Sequence, residues 1–134
     1  MIFTRRYRFC ASHRLHLDSL GEEENRELFG KCNNPYGHGH DYVLEISVEG
    51  EPDRSGQIVR RQAIDALMNE KILPRIDHRN LNMDVPELAS RIPTTENLAM
   101  AIREMLDRDW PLTAKLARVR VAETDRNIFE LETR

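Results

Sequence analysis

Two stretches of strict apolar–polar alternation limit what this chain can fold into. Tyr42, Leu44, Ile46 and Val48 alternate with Glu45, Ser47 and Glu49, and Phe3, Tyr7, Phe9 and Ala11 alternate with Arg6, Arg8 and Ser12. A period of two belongs to a strand with one buried face, not to a helix. Residues 2–13 therefore read as a half-buried strand. The second strand extends back through His38 and His40, which share the phase of its apolar residues. His13 continues the apolar face of the first strand, in phase with Phe9 and Ala11. If the two strands pair as a long hairpin, one end of it gathers His13, His38 and His40.

The remaining pattern predicts an α+β domain. Asp18 to Lys31 is a polar, acidic excursion with one helical turn, anchored by Leu28 and Phe29. Glu51-Pro52-Asp53-Arg54-Ser55-Gly56 is a turn. Ala63, Ile64, Leu67, Met68 and Ile72 recur at helical spacing, and Pro74 is expected to end that helix. Pro93-Thr94-Thr95-Glu96-Asn97 looks like a helix entrance, with Thr94 or Thr95 as cap and Glu96 suited to the positive first turn. Leu98, Ala101, Ile102 and Met105 form the buried stripe of that helix. Val119 and Val121 alternate with Arg118 and Arg120, and Asp125-Arg126-Asn127 turns the chain into Ile128–Leu131 as a final hairpin. The expected order is β-β-α-α-β-β, a four-stranded antiparallel sheet with two helices on one face.

With 134 residues, the chain suits a single domain spanning 1–134. A net charge of -3 argues against a nucleic-acid partner. No apolar run approaches the roughly 20 residues needed to cross a membrane, so no membrane partner is expected. Met1 to Arg8 lacks the apolar core of a signal peptide. A reducing cytoplasm is therefore expected, with Cys10 and Cys32 as free thiols.

The chemistry concentrates around Cys32-Asn33-Asn34-Pro35-Tyr36-Gly37-His38-Gly39-His40. In a strand, His38 and His40 aim two imidazoles at one ion, and a catalytic zinc usually takes three protein ligands. His13 is the third candidate, and His16 lies just outside the strand. A lone histidine is more often satisfied core or polar surface, so the zinc reading rests on the three acting together. Cys32 offers a nucleophile or base beside the metal. Asp77-His78 is either a local hydrogen-bonding pair or, with Cys32, a proton relay. Cys10 faces away from His13 and reads as packing. Glu123 follows Val119 and Val121 in phase and is expected to point inward. It is either a structural ion-pair partner or a docking carboxylate for a planar, guanidine-like edge.

With these residues in view, the chain resembles the 6-pyruvoyl-tetrahydropterin synthase family nearly end to end. Phe9-Cys10-Ala11-Ser12-His13-Arg14, Cys32-Asn33-Asn34-Pro35 with Gly37-His38-Gly39-His40, Asp77-His78-Arg79-Asn80-Leu81, Thr94-Thr95-Glu96-Asn97 and Glu123-Thr124 match family motifs in order. The resemblance implies zinc, one per chain, on His13, His38 and His40. It implies Cys32, Asp77 and His78 as the catalytic relay. Glu123 would anchor the pterin, with Thr95 and Glu96 assisting. The implied activity is a lyase reaction of tetrahydrobiopterin biosynthesis: 7,8-dihydroneopterin triphosphate becomes 6-pyruvoyl-tetrahydropterin by elimination of triphosphate, with magnesium on the triphosphate. The implied architecture is the tunnelling fold, in which sheets close into a barrel and two trimers stack as a homohexamer with active sites between subunits.

The competing member of this group is the 6-carboxy-5,6,7,8-tetrahydropterin synthase of the queuosine (deazapurine) pathway. That type usually has three residues between cysteine and His-Gly-His. Here five, Asn33 to Gly37, favour the pyruvoyl type. A non-catalytic zinc- or pterin-binding homologue is the alternative of another class, against which the intact Cys32, Asp77 and His78 count. The chain departs from the family at Arg60-Arg61, where an acidic or amide residue usually stands, removing a helix cap. Arg5, Arg6, Arg8, Arg14, Lys31 and Arg79 are the basic candidates for the triphosphate, each by itself more often a solvated surface charge.

Overall fold

A computed structural model describes residues 1–133. Strand β1 (Ile2–His13) and strand β2 (His38–Glu49) pair antiparallel over their whole length, from Ile2 opposite Glu49 to His13 opposite His38. Strand β4 (Lys115–Ala122) pairs antiparallel with β2, with a register shift between Ser47 and Val48, and β5 (Ile128–Glu132) pairs with β4. The expected four antiparallel strands are all present. A fifth, β3 (Arg79–Asn80), lies parallel to β1 at its outer edge, giving the order β3-β1-β2-β4-β5. Two residues carry no readable alternation, which is why the pattern did not reveal it. Within one chain the sheet is open.

The alternation predicts the buried face. Phe9, Ala11, Tyr42, Leu44, Ile46, Val48, Val119 and Val121 pack with the helices into one cluster. Each large side chain moved from water into it contributes roughly 1.5–3 kcal/mol. Helix α4 (Thr95–Arg108) covers β4 and β5 with Leu98, Ala101, Ile102 and Met105. Trp110 then donates its indole N–H to the Ala114 carbonyl at 2.8 Å as the chain returns to β4.

Three helical expectations need correction. The acidic excursion contains a two-turn helix, α1 (Glu22–Phe29), rather than one turn. Its Leu28 is 61% exposed, whereas Asn25 is fully buried. The Asn25 carboxamide accepts from the Leu17 N–H at 2.8 Å and donates to the carbonyls of Leu17, Leu20 and Gly21. A polar anchor holds this loop where an apolar one was expected. Nor does Pro74 end its helix: α2 (Arg61–Leu67) runs through a π turn (Met68–Ile72) into α3 (Leu73–Ile76). Pro74 falls in the first turn after that wider stretch, where its missing N–H costs least. As the Arg60-Arg61 departure suggested, Arg60 caps α2 with no side-chain hydrogen bond.

Among the described residues no helix is long and apolar enough to cross a membrane.

Candidate metal centre and pterin site

The hairpin register sets the site. His13 stands directly opposite His38, and Ala11 opposite His40. His13 is 1% exposed. Its Nδ1 lies 2.8 Å from the Pro93 carbonyl, which accepts the ring proton there and leaves Nε2 as the free lone pair. That Nε2 sits 3.1 Å from Nε2 of His40. Two nitrogens bound tetrahedrally to one zinc at about 2.0–2.1 Å would lie roughly 3.3 Å apart. Burial lowers the pKa of both imidazoles, against the opposing pull of Glu123 on each and of the Pro93 carbonyl on His13. Both are therefore held neutral, the form that ligates.

Cys32 enters from a 3₁₀ turn (Gly30–Asn33). The Leu15 N–H donates to its carbonyl at 2.7 Å, and buried Asn33 ties its carboxamide to the Leu15 carbonyl at 2.8 Å. Cys32 Sγ is 3.8 Å from His40 Nε2. Burial first, and Glu123 second, push its thiol up. The connection back to β2 passes tightly over His13: Gly37 has φ +82°, and a Cβ there would come within 2.9 Å of the His13 carbonyl oxygen. Only glycine suits both conditions.

Glu123 is the first residue beyond β4 rather than its last, yet its side chain does turn inward. Its N–H donates to the Asn127 carbonyl, so the hairpin closes over a five-residue loop. Its Oε1 lies 3.3 Å from His40 Nε2, and its Oε2 accepts the Thr95 hydroxyl proton. Thr95 is free for that role because Thr94 caps α4, its hydroxyl accepting from the Asn97 N–H at 3.2 Å. Glu96 lies in the first turn of α4, exposed.

Ligand atoms of His13, Cys32, His40 and Glu123 all fall within 4.8 Å of one another. This is a metal-competent set, since neutral imidazoles, a thiol and a carboxylate suit zinc. His38 is a neighbour rather than a member of that compact group, with its ring centroid 4.6 Å from that of His40. Tyr42 continues the same face, its ring stacked on Phe9 at 4.9 Å and edge-on to His40. Its buried hydroxyl has no hydrogen-bond partner among the described residues. Sequence reasoning took Tyr42 only as core. Its phase with His38 and His40 was the available signal.

Asp77 and His78 stand elsewhere. They dock on β1, the Asp77 side-chain Oδ1 accepting from the Cys10 N–H at 3.0 Å and the His78 backbone N–H donating to the Cys10 carbonyl at 2.6 Å. His78 Nδ1 is 2.9 Å from Asp77 Oδ1, and the imidazole is 79% exposed. His78 adopts φ +59°. The pair opens on the outward face of the sheet beside Cys10, Ser12 and Asp41, away from Cys32. Cys10 is not simple packing there. It donates to Asp41 at 2.7 Å, a bond that pushes its own thiol up.

The family model for 6-pyruvoyl tetrahydropterin synthase matches residues 2–134. The 6-pyruvoyl tetrahydrobiopterin synthase of Homo sapiens is 46% identical over 126 residues, covering 93% of this chain and 86% of the human one. The structure of Caenorhabditis elegans 6-pyruvoyl tetrahydropterin synthase superposes with a TM-score of 0.90 at 36% identity, covering 100% of this chain and 96% of that one. A protein of Archaeoglobus fulgidus provisionally named a 6-carboxy-5,6,7,8-tetrahydropterin synthase is 28% identical over 89 residues, 66% of this chain and 69% of that one. The motif order, the hairpin that gathers the histidines and the match over residues 2–134 agree: this chain belongs to the 6-pyruvoyl tetrahydropterin synthase family.

Proposed function

We propose that this chain converts 7,8-dihydroneopterin triphosphate to 6-pyruvoyl-tetrahydropterin, eliminating triphosphate. The observation that carries the reading is the meeting of His13, Cys32, His40 and Glu123 at one hairpin end in a chain of this family. The five-residue interval between Cys32 and His38, and the 46% identity to the human enzyme, favour the pyruvoyl over the carboxy product.

His13 and His40, with His38 beside them, would hold zinc. A bound zinc ion would supply Lewis-acid polarisation of the substrate's side-chain oxygens. The chain's own groups then have distinct tasks. Glu123, steadied by Thr95, accepts the paired N–H donors of the pterin edge through its two oxygens. The Pro93 carbonyl fixes the His13 tautomer. Cys32 takes and returns a proton at the substrate side chain, a role that improves with a cationic imidazole nearby. Asp77 orients such an imidazole in His78, but on the outward face of the sheet. The relay therefore forms only where a second subunit brings its own outward face to Cys32, as in the homohexamer of closed barrels proposed here. Magnesium would accompany the triphosphate.

Mass spectrometry of the product tests the reading. A pyruvoyl product retains the three-carbon side chain, whereas a carboxy product has lost two carbons as acetaldehyde and would overturn it. Cys32→Ala should keep fold and metal while turnover falls about 10²–10⁴-fold, the usual range for losing an acid–base group. Unchanged turnover would remove Cys32 from the chemistry.

A further inference from the structure

Tyr42, next to the histidines on the inward face of β2, is 1% exposed, and its hydroxyl finds no hydrogen-bond partner among the described residues. A buried polar group is normally paired, because burying it unpaired destabilises the fold. Tyr7, on the inward face of β1, follows the rule and donates to Asp65 Oδ1 at 2.7 Å.

The Tyr42 ring is held on two sides and cannot swing toward a partner. It is stacked on Phe9, with centroids 4.9 Å apart and planes within 10°, and meets His40 edge-on at 5.6 Å. An acceptor must therefore come to the hydroxyl. The β2–β4 register brings one close. Val43 stands opposite Ala122, so the next residue along each strand sets Tyr42 beside Glu123, both in the inward phase. Burial first, and then the charges of Glu123 and Cys32, push the Tyr42 pKa up, so the hydroxyl keeps its proton and stays a donor.

Glu123 already has two contacts. Its Oε2 accepts from Thr95, and its Oε1 lies 3.3 Å from His40 Nε2. The second contact depends on a proton. His13 keeps its own proton on Nδ1 against the Pro93 carbonyl, so its Nε2, 3.1 Å from His40 Nε2, is an acceptor. In this geometry His40 Nε2 carries the proton that lies between His13 and Glu123. An imidazole nitrogen that gives its lone pair to an ion has no proton to donate. Glu123 Oε1 then loses its donor, and the flexible side chain is free to pivot.

Resting on the function proposed above, we infer that Tyr42 is a positioning residue for the pterin anchor: its hydroxyl donates to Glu123 Oε1 when His40 serves as a ligand, and keeps the carboxylate aimed at the pterin edge. A carboxylate oxygen accepts more than one hydrogen bond, so the tyrosine and a pterin N–H share it.

The test pairs Tyr42→Phe with Tyr7→Phe in the full chain. Fluorescence titration of zinc-loaded protein with dihydroneopterin should show Kd raised about tenfold in Tyr42→Phe, the loss of one hydrogen bond, and unchanged in Tyr7→Phe. Thermal melts of the chelated proteins should show the reverse: Tyr42→Phe holds or gains, because it removes an unpaired buried hydroxyl, and Tyr7→Phe loses. In turnover the Tyr42→Phe loss should fall on KM rather than kcat, as for an interaction made equally with substrate and transition state. On a Glu123→Ala background, Tyr42→Phe should cost no further affinity. Unchanged Kd in Tyr42→Phe, a melting temperature lowered as in Tyr7→Phe, a loss confined to kcat, or additive losses in the double variant would overturn the inference while leaving the anchor in place. Unaltered affinity in Glu123→Ala alone would instead sink the anchor, and this role with it.

Discussion

Glu123 is the residue for which one substitution separates two roles, because it lies 3.3 Å from His40 and is the proposed anchor of the pterin. Glu123→Gln keeps the volume of a side chain that is 16% exposed, and its remaining oxygen can still accept from Thr95. It removes the charge and replaces one acceptor with a donor. A pterin edge offering two N–H groups would lose one charge-assisted hydrogen bond, worth roughly 1.5–3 kcal/mol, and the other would weaken to a neutral bond. The combined loss is about 3 kcal/mol, roughly a hundredfold in Kd. Fluorescence titration with dihydroneopterin reads that change, and elemental analysis of the same samples reads zinc. The expected result is a Kd raised roughly a hundredfold with metal content unchanged. Unchanged pterin affinity together with lost zinc would refute the reasoning and assign the carboxylate to the ion.

Other expectations concern the histidines, the α1 loop and the outward pair. Burial sets the folded pKa of His13 and His40 below the unfolded value near 6.5, so between the two the unfolded chain binds more protons. Stability of the chelated chain should therefore be full above about pH 7 and fall as pH drops through the window below 6.5. Thermal melts from pH 7.5 to 5.5 should show a smaller fall in His13→Asn, and an equal fall would refute the assignment. Asn25→Ala takes from the Leu17 N–H and the Leu20 carbonyl the partner that Asn25 supplies and should cost about 2 kcal/mol in urea unfolding, with faster hydrogen exchange at Leu17. No change in either would mean that the loop is held by something else. His78→Gly suits the left-handed backbone at that position, so the melting temperature should hold or rise while turnover falls, and a large drop in melting temperature would contradict this.

What could be read from the sequence followed period and phase. Alternation in residues 2–13 and 38–49 determines which residues face inward, and an unbroken hairpin needs no further information to bring His13 to His38. The helix entrance at Thr94 was legible because capping is local chemistry. What escaped was set by tertiary contact. Asn25 looks like surface until three backbone carbonyls surround it. The π turn before Pro74 depends on packing rather than propensity. The division of labour between adjacent threonines follows from where Glu123 arrives from beyond β4. Asp77-His78 was recognisable as a motif, but its face was not, because two-residue β3 docks through main-chain bonds that no side-chain pattern records.

In the assembly proposed above, the placing of Cys32 beside His40 and of His78 on the outward face of the sheet has a genetic consequence. Two chains, each dead for a different reason, should repair one another when assembled together. If Cys32→Ala and His78→Ala subunits mix at random in a symmetric ring, about a quarter of the junctions join an intact thiol to an intact imidazole. Each mutant alone offers none. An organism carrying one defective copy of each kind would keep activity that neither copy could supply, so the severity of either allele would depend on its companion.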